Sequence, residues 1–135
     1  MIKKPGLAAL LVLAVVSLGG CSSGQEDEVR STAQHFYRAL ADKDGAAACA
    51  VLAPRTRSEL EKSAQKDCAS AVLEESIPDV TGPGSVQAYG TMSQVRYGSE
   101  TAFLSRYGDG WKLYAAGCKP PSGQSTPYDC QISGG

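Results

Sequence analysis

The sequence predicts an α+β domain in which N-terminal helices pack on one face of a curved antiparallel sheet. Three observations lead there. Apolar residues recur at helical spacing from Val29 to Leu40, and again around Leu60. After Ile77 they give way to short strand-like runs broken by glycines. A helix-rich half followed by a strand-rich half, without alternation, reads as a helix layer on an antiparallel sheet. Four cysteines, Cys49, Cys68, Cys118 and Cys130, are spaced so that each half can carry its own staple.

The chain opens with Lys3 and Lys4, then an apolar run from Leu7 to Val16, then Leu18-Gly19-Gly20-Cys21. Basic, apolar and small residues in that order describe a secretory signal. The run is about half the roughly 20 apolar residues that a membrane span needs. Leu18-Gly19-Gly20-Cys21 resembles the lipobox of bacterial lipoproteins. The resemblance implies a diacylglyceryl group on the Cys21 thiol, cleavage before it, and removal of residues 1–20 as a signal peptide. One acyl chain anchors marginally and two or more anchor stably. The implied location is the cell membrane, lipid-anchored on the extracytoplasmic face. Residues 21–28, from Cys21 through Ser22, Gly24 and Gln25 to Glu28, are small or charged and read as a flexible tether. A single domain is expected over 29–135, a length that suits one core.

Within it, Val29, Ala33, Phe36, Tyr37 and Leu40 fall on one helical face, with Arg30, Gln34 and Arg38 on another. Asp42-Lys43-Asp44-Gly45 ends this helix and offers Asp44 as the cap of the next, a short alanine-rich segment from Ala46 to Leu52. Thr56-Arg57-Ser58-Glu59 has the form of a capping box, so a third helix is expected to start at Arg57. A further cap at Asp67 divides off a last helix running towards Glu75.

Pro83-Gly84 marks the turn into the strand half. Ser85–Tyr89 and Met92–Tyr97 flank Gly90, Gly98-Ser99-Glu100 makes the next turn, and Thr101–Tyr107 and Trp111–Ala116 flank Gly108-Asp109-Gly110. A three-residue loop there pairs Tyr107 with Trp111 and puts Phe103, Ser105, Tyr107, Trp111, Leu113 and Ala115 on one face. Arg106 and Lys112 then share the other. That arrangement separates apolar from charged, and a one-residue slip would undo it. Tyr128–Ile132 is expected as a short edge strand.

Of five cysteines, setting aside Cys21 leaves an even number, as an oxidising compartment favours. Sequence proximity favours Cys49–Cys68 and Cys118–Cys130 over the other two connectivities. Each closes a loop of modest length, with a stabilisation on the order of 3 kcal/mol. Metal binding is disfavoured because no C-x-x-C pair is present and the only histidine is His35.

The region from Val29 to Ala116 resembles the nuclear-transport-factor-like, or cystatin-like, cone fold. The likeness rests on Phe36-Tyr37-Arg38-Ala39-Leu40 in the opening helix, Asp44-Gly45 before the second, and the late strand Gly110-Trp111-Lys112-Leu113. The chain is also similar to small disulfide-bonded lipoproteins of high-GC Gram-positive (actinobacterial) bacteria. The fold hosts isomerases, dehydratases, transport factors and plain binding modules, so it licenses no single reaction. What it implies is a space between sheet and helices, with Phe36, Tyr37, Phe103, Tyr107 and Trp111 as its lining.

The remaining chemistry is sparse. With Lys3 and Lys4 removed, the mature chain is mildly acidic and lacks a basic patch with interleaved aromatics, which argues against nucleic acid. His35 is one step off the apolar stripe and has no nameable orienting partner, as a catalytic base would need. Asp42 and Asp44 lack the rest of a calcium loop. No G-x-S-x-G or phosphate-cradling glycine loop occurs. No catalytic residue, cofactor or metal is expected. The expected role is a noncatalytic module of the cell envelope, binding a small ligand or a protein. The alternatives are an isomerase- or cyclase-like enzyme, or a structural or regulatory lipoprotein contacting a complex through Arg96, Arg106, Lys112 and Tyr114 on the outer sheet face.

Overall fold

The computed structural model describes residues 21–123 and 127–135, without the side chains of residues 21–23. The expected signal peptide, residues 1–20, and the thiol of Cys21 lie outside the described residues. Four helices, α1 (Cys21–Ala41), α2 (Gly45–Ala50), α3 (Pro54–Ala64) and α4 (Cys68–Glu74), precede five strands. These are β1 (Ser85–Tyr89), β2 (Met92–Tyr97), β3 (Glu100–Tyr107), β4 (Gly110–Lys119) and β5 (Asp129–Ser133). The strands form one antiparallel meander in the order β1-β2-β3-β4-β5. The chain is therefore α+β, helices on an antiparallel sheet, as the switch of hydrophobic period predicts.

The helices start where local chemistry allows. Asp44 caps α2 by accepting from the Ala47 amide at 3.0 Å, and Asp67 caps α4 by accepting from Ser70 at 3.1 Å. The Ser70 bonds, backbone first, hold the exposed Asp67 carboxyl below its ordinary value. Two expectations fail. α1 begins at Cys21, so the segment read as a tether is helical. Its residues find partners that sequence spacing hides: the Gln25 side-chain amide donates to the Gly90 carbonyl at 2.9 Å, and Asp27 pairs with Arg30 at 2.9 Å. α3 begins at Pro54 rather than Arg57, with Pro54 in the first turn where its missing N–H costs nothing. Thr56 forms no capping box; its hydroxyl donates to the Tyr114 carbonyl at 2.9 Å.

The core lies between α1 and the sheet. Phe36, Leu104, Leu113, Val29, Val72 and Val95 are all fully buried, at about 1.5–3 kcal/mol for each large apolar side chain. Along the edge of β4 opposite β3, two segments bind in succession. Its first half bonds to residues 51–53, with Ala53 N donating to Leu113 O at 2.7 Å and Leu113 N to Val51 O at 2.9 Å. Its second half pairs with β5. Register shifts between β3 and β4 around Phe103 bend the sheet there.

Both expected disulfides are present. Cys49–Cys68 ties α2 to α4, and Cys118–Cys130 joins directly opposed residues of β4 and β5.

The β3–β4 turn differs from the expected three-residue loop. Tyr107 pairs with Gly110 and Arg106 with Trp111, leaving Gly108-Asp109 as a two-residue turn. Trp111 and Leu113 therefore share the helix-facing side with Leu104, while Phe103, Ser105 and Tyr107 share the opposite side with Lys112 and Tyr114. Separation of apolar from charged residues identifies the core face only where one face alone is buried. Here Tyr128 and Tyr114 cover Phe103 from outside, with ring centroids 5.0 and 5.9 Å away, so both faces bury aromatic surface.

Candidate functional site

The five residues expected to line one space do not meet. Phe36 and Trp111 are packed in the core at 0% and 3% exposure, and Tyr37 closes its edge. Phe103 and Tyr107 lie across the sheet from them. The region between sheet and helices is filled by Phe36, Trp111, Leu104 and Leu113, so the shared pocket inferred from the cone resemblance is corrected.

The edge of that core holds a cluster of buried polar groups. Tyr37 and Tyr97 meet edge to face, with ring centroids 5.2 Å apart. The two-residue Gly98-Ser99 turn pairs Tyr97 with Glu100, which is only 7% exposed. Among the described residues, Tyr37 Oη, Tyr97 Oη and Glu100 Oε2 have no hydrogen-bond partner. Burial pushes the Tyr37 hydroxyl far above its ordinary value; the Gly117 backbone amide opposes this without closing a hydrogen bond, and Tyr97 and Glu100 add to it. Burial also raises Tyr97, with Arg30 working against it. Beside this cluster, a cavity of about 220 Å³ opens between α1 and residues 79–82, lined by Gln34, Tyr37, Arg38, Asp79, Val80 and Tyr97. Sequence reading missed Glu100 because it sits next to Gly98-Ser99 and passes for a turn residue. The signal available was the turn length, since a two-residue loop places positions 97 and 100 opposite each other. His35 is exposed on α1, away from this cluster's lining.

The outer face of the sheet carries the second candidate. Tyr89, Met92, Gln94, Phe103 and Tyr114 line a cavity of about 260 Å³. A neighbouring one of about 180 Å³ is lined by Arg55, Thr56, Met92, Ser105, Tyr107 and Tyr114. They share Met92 and Tyr114 and so form one trough across the strands. Beside the charged Arg55, several of its polar groups are neutral and locally paired. Gln94 and Tyr89 both donate to Gln87 Oε1, and Ser105 Oγ donates to Met92 Sδ at 3.2 Å. Burial raises the half-buried Tyr114 hydroxyl above its ordinary value.

The four outer-face residues expected as contacts are divided by the register. Arg96 is exposed on β2 between the buried Val95 and Tyr97, hence on the trough side. Tyr114 lines the trough itself. Lys112 is tied down, 3.3 Å from Asp109 and donating to the Ala50 carbonyl at 3.4 Å. Arg106 pairs with Trp111 and so departs from the expected face, although its position near the hairpin end leaves it exposed.

Among the described residues no helix is long and apolar enough to cross a membrane. No protein-family model, curated protein or solved structure matches the chain.

Proposed function

We propose that this protein is a lipid-anchored lipoprotein of the extracytoplasmic face, whose domain is a noncatalytic protein-binding module of the cell envelope. The trough on the outer sheet face carries this reading. Tyrosine, phenylalanine, methionine and arginine, with few acidic groups, are the residue types enriched at protein interfaces. Gln94, Phe103 and Tyr114, in the middle of the trough, are only half-buried, and Arg96 on the same side is exposed. The lipobox resemblance at Cys21 supports the anchor, and two disulfides suit an oxidising compartment.

Two experiments test the reading. Cys21→Ser should abolish lipid labelling and release the protein from membranes or leave the precursor uncut; unchanged labelling refutes the anchor. A photocrosslinker at Gln94, on intact membranes, should capture a discrete protein that Arg96→Glu weakens. Absence of any crosslinked protein, in an otherwise membrane-bound sample, refutes the binding role.

An enzyme on the same scaffold is the second reading, favoured by Glu100 with its unpartnered carboxylate oxygen beside Tyr37 and Tyr97. Native mass spectrometry of the protein from its own host separates the two. A copurified small molecule lost in Glu100→Gln supports the enzyme, and a clean apo mass supports the protein-binding module.

A further inference from the structure

The exposed apolar residues are not scattered. Among the described residues, four large hydrophobic side chains are exposed: Leu73, Tyr89, Met92 and Tyr107. The last three sit at one end of the sheet. Tyr89 and Met92 flank the Gly90-Thr91 turn of β1–β2, and Tyr107 opens the Gly108-Asp109 turn of β3–β4. The two turns lie side by side, because Arg106 N donates to the Thr91 carbonyl at 2.8 Å.

The N-terminal end of α1 is attached to the same place. Gln25 Nε2 donates to the Gly90 carbonyl, and Glu28 Oε1 lies 3.4 Å from where a Cβ on Gly110 would stand. Cys21 lies in α1, only four residues before Gln25. At the helical rise, that is about 6 Å along the axis. The residue expected to carry the acyl chains is therefore within about one turn of helix from Tyr89 and its neighbours.

We infer that this end of the domain, with Tyr89, Met92 and Tyr107 foremost, docks on the bilayer surface into which Cys21 is anchored. The inference rests on the lipoprotein reading of Cys21. Its physical basis is the missing tether: a helix that already includes Cys21 and is bonded to the hairpin tip at Gln25 holds the tip against the head groups. Tyrosine rings favour that layer because one end is apolar and the other takes hydrogen bonds. An interfacial element needs to sink only about 5–10 Å to bury such side chains. The charges here do not call for anionic lipid. Glu26, Asp27 and Glu28 crowd the helix start and outnumber the exposed Arg106, Asp27 is paired with Arg30, and Lys112 is paired with Asp109. Docking is thus expected on zwitterionic lipid and expected to weaken as anionic lipid is added. The rest of the outer face, around Gln94, Phe103 and Tyr114, then stands above the membrane, open to a protein.

The test uses the full lipidated protein reconstituted in phosphatidylcholine vesicles, with and without bromine on the acyl chains. Tyr89→Trp should emit further to the blue than in detergent and lose intensity with brominated lipid. Leu73→Trp, on α4 among α2 and α3, should do neither, and the buried Trp111 supplies the common background. Equal quenching at both positions, or none at Tyr89→Trp, overturns the inference. A Tyr89→Trp that is unquenched by bromine yet shielded from aqueous acrylamide assigns the patch to a protein and also overturns it. Failure of the anchor is read separately: mass spectrometry of the same sample would then find Cys21 unacylated and the protein outside the vesicle fraction.

Discussion

Replacing Gly45 by alanine is expected to destabilise the protein, although glycine to alanine in a helix is ordinarily favourable. Gly45 is the buried first residue of α2. A Cβ there would stand 2.7 Å from the Ala69 carbonyl carbon and 2.9 Å from its Cα, with the carbonyl oxygen closer still. Carbon atoms in contact prefer about 3.5–4.0 Å, so α2 and α4 would have to part by roughly 1 Å. The obstacle is backbone and cannot rotate away. Cys49–Cys68, one turn along α2 and adjacent to Ala69, resists the separation. Overpacking of this kind costs about 1–3 kcal/mol, against a propensity gain of up to about 1 kcal/mol. The net loss is about 1–2 kcal/mol, or roughly 4–8 °C in Tm for a domain of this size. Thermal and urea unfolding followed by circular dichroism would measure it. Gly24→Ala is the control: Gly24 is in α1 with nothing within 4 Å of its missing Cβ, so that variant should be as stable as the parent or more so. If Gly45→Ala melts at or above the parent, the close approach of α2 and α4 is wrong.

Two further outcomes follow from the same contacts. The disulfides close separations of 19 and 12 residues, and the chain-entropy relation gives about 3 kcal/mol for each. Paired alanine replacement should therefore lower the urea midpoint similarly in both cases, and mass mapping of the parent should find no free thiol among the four cysteines; a free thiol at any of them refutes the pairing. The buried tyrosines set an alkaline limit. Because the folded-state value of Tyr37 lies above the unfolded value of 10.0, the folded chain keeps a proton that the unfolded chain releases, and stability falls as pH rises past it. The slope reaches about 1.4 kcal/mol per pH unit for one such group. Tyr37→Phe should flatten the fall without loss at neutral pH, since it removes a hydroxyl that has no partner. Urea titrations at neutral and alkaline pH check this, and an unchanged alkaline slope would show that Tyr37 is not the group responsible.

Local chemistry is legible in this chain wherever one residue type answers one local need. Asp44 and Asp67 cap helices because their carboxylates satisfy amides three residues away. Gly90 and Gly98 open two-residue hairpins because both adopt positive φ, at 61° and 60°. The switch from helical to alternating spacing predicted the α+β class, and short sequence separation predicted the disulfide pairs. Each of these depends on neighbours within about twenty positions.

Tertiary structure alone decided what depended on a distant partner. Nothing local says that Gln25 finds Gly90, so the polar run 21–28 reads as a tether and is a helix. Nothing around Thr56 points to the Tyr114 carbonyl, which withdraws the hydroxyl from its expected cap. The face of Phe103 and Tyr107 followed from a register that polarity misjudged, because Tyr128 buries the outer side as well. Glu100 joins Tyr37 and Tyr97 only once α1 lies across the sheet. Periodicity determines which residues seek burial, and the packing of distant segments decides on which side they find it.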